Sequence, residues 1–520
     1  MDTVREYIDA WGVDRADDVW LIDPDTSTRY TYADLRLAVH RTGSRLAQTG
    51  VPMGARVSFL ADNGGWTTQL YLGVMASGRV IVPLNAVAGD VQLTHVLGHS
   101  DTDVVFVSPV YKDRLTRLLA RVPREIRVID LDARNGPDWP TGIQEDPSPE
   151  DNGNSLPRAT DPALLLYTSG STGVPKGAVL SHRAIVAGGR NVVSGHHLSR
   201  TDRALCVLPI YHINGAMVTV AAPLVSGGSV VMPTRFSVSA FWPWIAEHQC
   251  TWSSIVPTII KYLLDRADAE PFDFGRDDRL RCFRFGRSAS APLPATVLEQ
   301  WEAVFKVPMI ETLGLTETAG TVASNPMPPE RRKPGSVGLA FGNEIKIIDE
   351  SGADCPCGTA GEIAIRGDNL LDHYYKNPEA TASALVDGWF RTGDLGLLDD
   401  DGYLFITGRL KELIIRGGEN IAPREIDDIL YQNDAVLEAA AVGVDDENYG
   451  QEVVACVVRR DGFQCSEEEL KTLCENSVGK YKAPKRIYFM DDLPKGPSGK
   501  ILRLELPGLI KTANENAAES

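Results

Sequence analysis

Eleven residues, Tyr167-Thr-Ser-Gly-Ser-Thr-Gly-Val-Pro-Lys176-Gly177, constrain this chain more than any other stretch. They directly follow an apolar run, Ala163 to Leu166, that reads as a buried strand, so a fixed strand end would deliver a polar, glycine-rich loop. Glycines let backbone N–H groups approach an anion closely. Ser169, Ser171 and Thr172 add hydroxyl donors and Lys176 adds positive charge, a combination suited to phosphate. The spacing excludes a Walker-type loop, in which the second glycine stands five residues after the first and is followed at once by lysine. Five residues after Gly170 stands Pro175.

With 520 residues the chain is long enough for two or more domains, each with a sizeable core. Its 52 Lys and Arg against 70 Asp and Glu give a net charge of -18, which repels nucleic acid and anionic lipid at long range. Anionic ligands must then be held by local donors or by a metal ion. No apolar run approaches the ~18 residues that span a bilayer, so no stable membrane insertion is expected. Asp, Arg and Glu within the first fifteen residues interrupt the apolar core a signal peptide needs, which predicts a cytoplasmic protein. The eight cysteines lack the paired spacing of a zinc site and read as reduced thiols.

Residues 1 to about 160 alternate helical and strand-like segments: Tyr32 to Thr49 helical, Arg56 to Leu60 a strand, Trp66 to Ser77 helical. Such alternation predicts layered α/β subdomains with parallel sheets. Gly136 to Pro157 reads as an exposed loop. After the phosphate loop, Ala178 to Leu180 resumes a strand, and a helix is expected after Ser181-His182. Trp252 to Ile260 and Leu280 to Gly286 read as strands, and Gly361 to Arg366 alternates with period two in a β-rich section. Beyond Gly408-Arg409-Leu410-Lys411 the composition shifts. Pro423 suits the first turn of a helix, Val436 to Val444 and Glu452 to Val458 read as strands, and Ser466 with Glu469 forms a capping-box pattern. This is an α+β unit of about a hundred residues, the size of a small domain. Lys511 to Ser520 reads as a disordered polar tail.

Four further constellations carry chemistry. In Glu311-Thr-Leu-Gly314-Leu-Thr316-Glu317 a glycine turn precedes a hydroxyl and a carboxylate, and a carboxylate beside a polyphosphate calls for Mg²⁺ between them. Asp394, within Gly393-Asp-Leu-Gly396, is suited to accept hydrogen bonds from vicinal hydroxyls, and Arg409 follows fifteen residues later. Gly417-Gly418 lets a loop approach a ligand closely. Lys500 ends Pro494-Lys-Gly-Pro-Ser-Gly-Lys500, a glycine loop able to present one cation to a reacting centre.

In this order, these strings resemble the motifs of the adenylate-forming superfamily, which includes acyl-CoA synthetases, aryl-CoA ligases, luciferases and peptide-synthetase adenylation domains; an acyl-CoA synthetase is the nearest likeness. The resemblance implies an N-terminal AMP- and acid-binding domain at 1–410 and a small mobile α+β domain at 411–520, with a hinge at Lys411. It implies that Thr168, Ser169, Gly170, Ser171, Thr172, Gly173, Lys176, Ser288, Ala289, Thr312, Leu313, Asp394 and Arg409 bind ATP or AMP. Catalysis would rest on Lys500, Thr316, Glu317 and His212, with Glu317 the Mg²⁺ contact. Gly417 and Gly418 would border coenzyme A. Tyr211, His212, Ala216, Gly314, Ala319 and Gly320 would form the acyl pocket, in which the small Ala216, Gly314, Ala319 and Gly320 allow a fairly bulky aliphatic or polycyclic acid. Where the family usually stacks an aromatic ring on adenine this chain has Leu313, forgoing about 0.5–1.5 kcal/mol of stacking.

Amino-acid-activating relatives place an aspartate in the segment equivalent to Pro209–Gly215. Tyr211-His212-Ile213-Asn214 holds no carboxylate, so a simple carboxylic acid is expected. Three readings remain open: an ATP-dependent acid:CoA ligase, a stand-alone enzyme loading the phosphopantetheine of an acyl carrier protein, and a non-catalytic nucleotide-binding scaffold.

Overall fold

The computed structural model describes residues 1–141, 156–168, 175–269, 278–496 and 500–519. Ser169, Gly170, Ser171, Thr172 and Gly173 lie outside the described residues. The chain is mixed α/β and forms two compact units, 1–344 with 365–390, and 345–364 with 391–520.

The first unit holds two large sheets. The eight-stranded one runs His373–Tyr374, Lys176–Ser181, Pro162–Thr168, Val80–Pro83, Arg56–Leu60, Thr102–Val107, Arg127–Asp132, Gly136–Pro137, and the nine-stranded one contains Trp252–Ile255, Phe285–Ser288 and Met309–Leu315 side by side. Those three are parallel neighbours, so their carboxyl ends open on one edge, the place where open α/β sheets bind ligands. Both sheets contribute to one core, Ile81, Phe106 and Leu164 from one and Trp20, Trp252 and Phe285 from the other. Two helices show how the sequence builds this. Tyr32–Gln48 begins with a capping box, in which Thr31 Oγ1 accepts from the Asp34 N–H at 3.1 Å and the Asp34 carboxylate accepts from the Thr31 N–H at 2.8 Å. Gly65–Ala76 is mostly apolar, and every residue in it except Trp66 is buried; its Thr68 and Gln69 side chains donate to backbone carbonyls of the preceding turn.

Three expectations need correction here. The strand expected over Trp252–Ile260 stops at Ile255, because Pro257 opens the helix Pro257–Ala269; proline has no N–H for a ladder but suits a first helical turn. The strand expected over Leu280–Gly286 is displaced to Phe285–Ser288, with a 3₁₀ turn at Asp278–Leu280. Of the loop expected from Gly136 to Pro157, Gly136–Pro137 instead extends the sheet, and Trp139 packs edge-on to Phe106 with centroids 5.4 Å apart. Residues 142–155 lie outside the described residues.

The second unit is centred on two sheets. One contains Gly361–Arg366, Trp389–Leu398 and Leu404–Arg409; the other pairs Val436–Asp446 with Gly450–Arg459 antiparallel and adds Arg486–Phe489 parallel to the latter. Between them Lys411 sits in the exposed 3₁₀ turn Leu410–Glu412. Gly417 and Gly418 form the two-residue turn of the hairpin Ile414–Arg416/Glu419–Ile421, with φ of 57° and 88°; two consecutive positive φ values are those of a type I′ turn, which glycine enters without strain. The helix Pro423–Leu430 buries Ile426, Ile429 and Leu430, and Ser466 caps the helix Glu467–Lys482 by accepting from the Glu469 N–H. The tail expected to be disordered from 511 is helical instead: Leu506–Glu519 is one helix, anchored by buried Leu506 and Ile510 and continued by Ala and Glu, good helix formers. Among the described residues no helix is long and apolar enough to cross a membrane.

Buried Asp427 anchors this unit, pairing with Arg503 and accepting from the Ala441 N–H at 2.6 Å. Burial pushes its carboxyl up and Arg503 opposes the shift. Asp427→Ala leaves a largely buried guanidinium without this partner and should cost about 3–5 kcal/mol. Chemical denaturation would show the loss as a lowered midpoint.

Candidate active site

The strands flanking the glycine-rich loop close at Thr168 and Lys176, which are cross-strand neighbours, so the two ends of the loop are pinned together. The Lys176 ammonium lies 5.2 Å from the centroid of the Tyr374 ring, and the Tyr374 hydroxyl donates to Glu317 Oε1 at 2.9 Å. Burial, and then the Glu317 charge, hold the Tyr374 hydroxyl well above its ordinary range, so it stays a donor. Tyr374 thus links the loop lysine to the expected metal-binding carboxylate. The sequence reading missed it, since nothing in Asp372-His-Tyr-Tyr-Lys marks a site. It arrives because His373–Tyr374 adds a short strand beside Lys176–Ser181.

Thr316 and Glu317 occupy a tight 3₁₀ turn held from outside. Asn369 Nδ2 donates to the Thr318 carbonyl at 2.6 Å and the Leu371 N–H donates to the Glu317 carbonyl at 2.7 Å. Ala319, next in the chain, adopts φ 44°, a conformation costly for a residue with a Cβ. Gly314 is required by close approach: a Cβ there would lie 2.4 Å from the Gly320 carbonyl oxygen. Thr312 Oγ1 donates to the Ser288 carbonyl at 3.2 Å, tying two expected nucleotide residues on adjacent strands. Leu313 and Ala289 are buried beside them.

Tyr211 and His212 stack at a tilt with centroids 5.0 Å apart, and the His212 N–H donates to the Pro209 carbonyl at 3.1 Å. The chain then enters a π-helical stretch, Asn214–Ala221, with Ala216 fully buried. Such stretches are rare and concentrate at functional sites. Asn214 Oδ1 accepts from Ser254 Oγ at 2.8 Å and from Arg287 Nη1 at 3.1 Å. Arg287 is a second residue the sequence reading passed over, lying at a strand end where a charged side chain looks like a surface residue.

In the second unit Asp394 and Arg409 are partners across two strands, with Arg409 Nε donating to Asp394 Oδ1 at 2.7 Å. The turn is braced by the Gly393 N–H, which donates to Glu362 Oε1 at 3.0 Å, and the Asp394 N–H, which donates to Thr392 Oγ1 at 3.0 Å. Burial raises the Asp394 carboxyl, against the pull of Arg409 and Lys500. Lys500 belongs to the same cluster. Burial and the Arg409 charge lower its ammonium, while Asp394 and Glu412 act to raise it. Removing Asp394 therefore lowers Lys500 further. In Asp394→Asn the Lys500 ammonium should titrate below its wild-type midpoint, itself below the ordinary lysine value of 10.5, as read by NMR of side-chain nitrogens.

The family model for AMP-binding enzymes matches residues 8–375, and that for the AMP-binding enzyme C-terminal domain matches 425–500. The chain is 44% identical to a sulfoacetate–CoA ligase of Cupriavidus necator over 97% of both chains. It is 35% identical to an oxalate–CoA ligase of Arabidopsis thaliana, over 91% of this chain and 92% of that one. Among solved structures, ATP-bound MatB from Rhodopseudomonas palustris superposes with a TM-score of 0.87 at 30% identity, covering 98% of this chain and 99% of that one. With both halves matched and the Thr168–Lys176 strand pairing, the Thr316–Glu317 turn and the Asp394–Arg409 pair in place, the chain belongs to the AMP-binding enzyme family.

Proposed function

We propose that this chain is an ATP-dependent carboxylic acid:CoA ligase working through an acyl-adenylate. The observation that supports it best is the near full-length likeness to CoA ligases, together with the charge cluster formed by Asp394, Arg409 and Lys500. A carboxylate oxygen of the acid attacks the α-phosphorus of ATP and pyrophosphate leaves. The thiol of coenzyme A then attacks the acyl carbon of the mixed anhydride and AMP leaves.

The donor set fits Mg²⁺ carried in with the nucleotide. Glu317 offers one carboxylate, and Mg²⁺ is commonly held by one or two carboxylates with phosphate oxygens and water completing its shell. Among the described residues no group of three or more metal-binding side chains exists to hold a resident ion. When bound, the ion offsets phosphate charge. The protein's own part is positional and electrostatic. Lys176 and the loop it closes bind phosphate, Asp394 takes the ribose hydroxyls, and Ser288, Ala289, Thr312 and Leu313 border the base. Lys500 supplies the cation that balances charge developing on the α-phosphate oxygens during attack. His212 and Tyr211, with Ala216, Gly314, Ala319 and Gly320, border the acid. Lys411, exposed in its turn, serves as the hinge that exchanges the Lys500 loop for the Gly417-Gly418 hairpin before thiol attack. The enzyme acts in the cytoplasm, where ATP and coenzyme A are at hand.

Incubation with ATP, Mg²⁺ and a panel of acids, with and without coenzyme A, should yield acid-dependent AMP together with the matching acyl-CoA by mass spectrometry. Acyl-adenylate without acyl-CoA would instead favour an acyl carrier protein as acceptor, and no AMP with any acid would overturn the ligase reading. Lys500→Ala should slow adenylate formation by on the order of 10²-fold or more with Tm unchanged. Since the charged lysine is the active form, adenylation should fall as pH rises through its lowered titration point. The alkaline limb should lie below pH 10.5 and be absent in Lys500→Arg if the longer side chain still reaches.

A further inference from the structure

Arg287 is among the largest fully buried side chains, with 1% of its surface exposed. Its surroundings are unusual for a buried cation. Nη1 donates to Asn214 Oδ1 at 3.1 Å and Ser254 Oγ at 2.8 Å, and Nη2 donates to Thr321 Oγ1 at 2.8 Å. All three partners are neutral, and among the described residues no carboxylate pairs with it. Burial draws its pKa down to about 9, so it is still charged at neutral pH. His196, buried nearby, is held well below the ordinary histidine range by its own burial and by Arg287, and so adds no second positive charge. Taking a guanidinium out of water without an anionic partner costs several kcal/mol, a cost rarely carried without a reason.

The hydrogen-bond inventory shows what is left over. A guanidinium has five N–H donors, of which the three contacts use three. The Nε–H finds no partner among the described residues, and one N–H of Nη2 also remains. Nε and Nη2 together form the edge that grips a planar or tetrahedral anion with two parallel hydrogen bonds. The cluster stands where the carboxyl ends of Trp252–Ile255 and Phe285–Ser288 meet the segment that follows His212, and Thr321 directly follows Gly320. The used donors of Arg287 therefore brace the fold, and two of the residues they hold adjoin the acid pocket proposed above: Asn214 stands between His212 and Ala216, and Thr321 follows Gly320.

We propose that Arg287 is the specificity-determining counter-ion for a second anionic group on the acid, so that the enzyme's substrates are short acids carrying, besides the activated carboxylate, a carboxylate or sulfonate. This rests on the ligase reading and replaces the bulky apolar acid that the small pocket residues alone suggest. Asn214 then serves to aim the guanidinium rather than to contact the acid.

The test compares kcat/KM for two short dianions, sulfoacetate and oxalate, with that for two monoanions of similar size, propionate and butyrate, in wild type, Arg287→Met and Arg287→Lys. Wild type should prefer at least one dianion. In Arg287→Met the dianion-to-monoanion ratio should fall by roughly 10- to 100-fold, the size expected when a hydrogen-bonded charge is lost. Arg287→Lys, which keeps charge without the fork, should fall between the two and guards against a Met variant that does not fold. The better of the two dianions tells sulfonate from carboxylate. Equal loss on all four acids would make Arg287 a purely structural residue and overturn the proposal, as would a wild type that turns over the monoanions in preference. A wild type releasing AMP with none of a wider acid panel would overturn the ligase reading itself, and this inference with it.

Discussion

A chain with net charge -18 that must handle a polyphosphate and an acid works against its own field, so each cation offered to them, in either unit, has to be placed individually. The structure does this with four different devices. Lys176 sits at a strand end above the Tyr374 ring; Arg409 is paired with Asp394; Lys500 is largely enclosed between charges of both signs; Arg287 is buried against neutral oxygens. A cation already matched by a carboxylate is electrostatically quiet. One held by neutral donors and acceptors keeps its field for a ligand, which is why the two arginines are suited to different tasks.

The rest of the first unit can be read as support for that placement. Three parallel strands bring Ser254, Arg287, Ser288 and Thr312 to one edge, and the antiparallel return Gly320–Ser324 adds Thr321 opposite Gly314. The return is tight enough that Gly314 admits no side chain and Ala319 accepts an unfavourable φ. Strain of this kind persists where surrounding structure over-determines it, and here Asn369 and Leu371 supply the outside hydrogen bonds that do so. In the second unit the equivalent anchor is the Asp427–Arg503 pair, with Arg503 also 3.3 Å from Glu412, so the ion pairs beneath Lys500 and the fold of the unit are the same set of interactions.

Much of this was legible residue by residue. The helices Tyr32–Gln48, His182–Gly195 and Glu467–Lys482 begin at Thr31, Ser181 and Ser466, caps visible as local patterns, and the strands Arg56–Leu60 and Pro162–Thr168 are short apolar runs. Trp252–Ile260 misled because an apolar run looks the same in a buried strand and a buried helix, and only Pro257 marked the change. The C-terminal tail misled because the two apolar residues that dock its helix, Leu506 and Ile510, stand just before the polar segment rather than within it.

The sequence by itself determined the chemistry class, through strings of glycine, hydroxyl, lysine and acidic residues that resemble a known family's motifs; they are legible because phosphate recognition is made by short contiguous loops. What only the tertiary structure decided is which isolated residues join them. Tyr374 stands nearly two hundred residues from Lys176, and Arg287 meets Asn214, Ser254 and Thr321 across three separate elements. Hydrogen bonds between side chains distant in sequence leave no periodic or spaced signal, because their geometry exists only once the sheets have paired. The contacts of Arg287 are all of this kind, so the sequence determined that an acid is activated, and only the fold brought Arg287 to its partners.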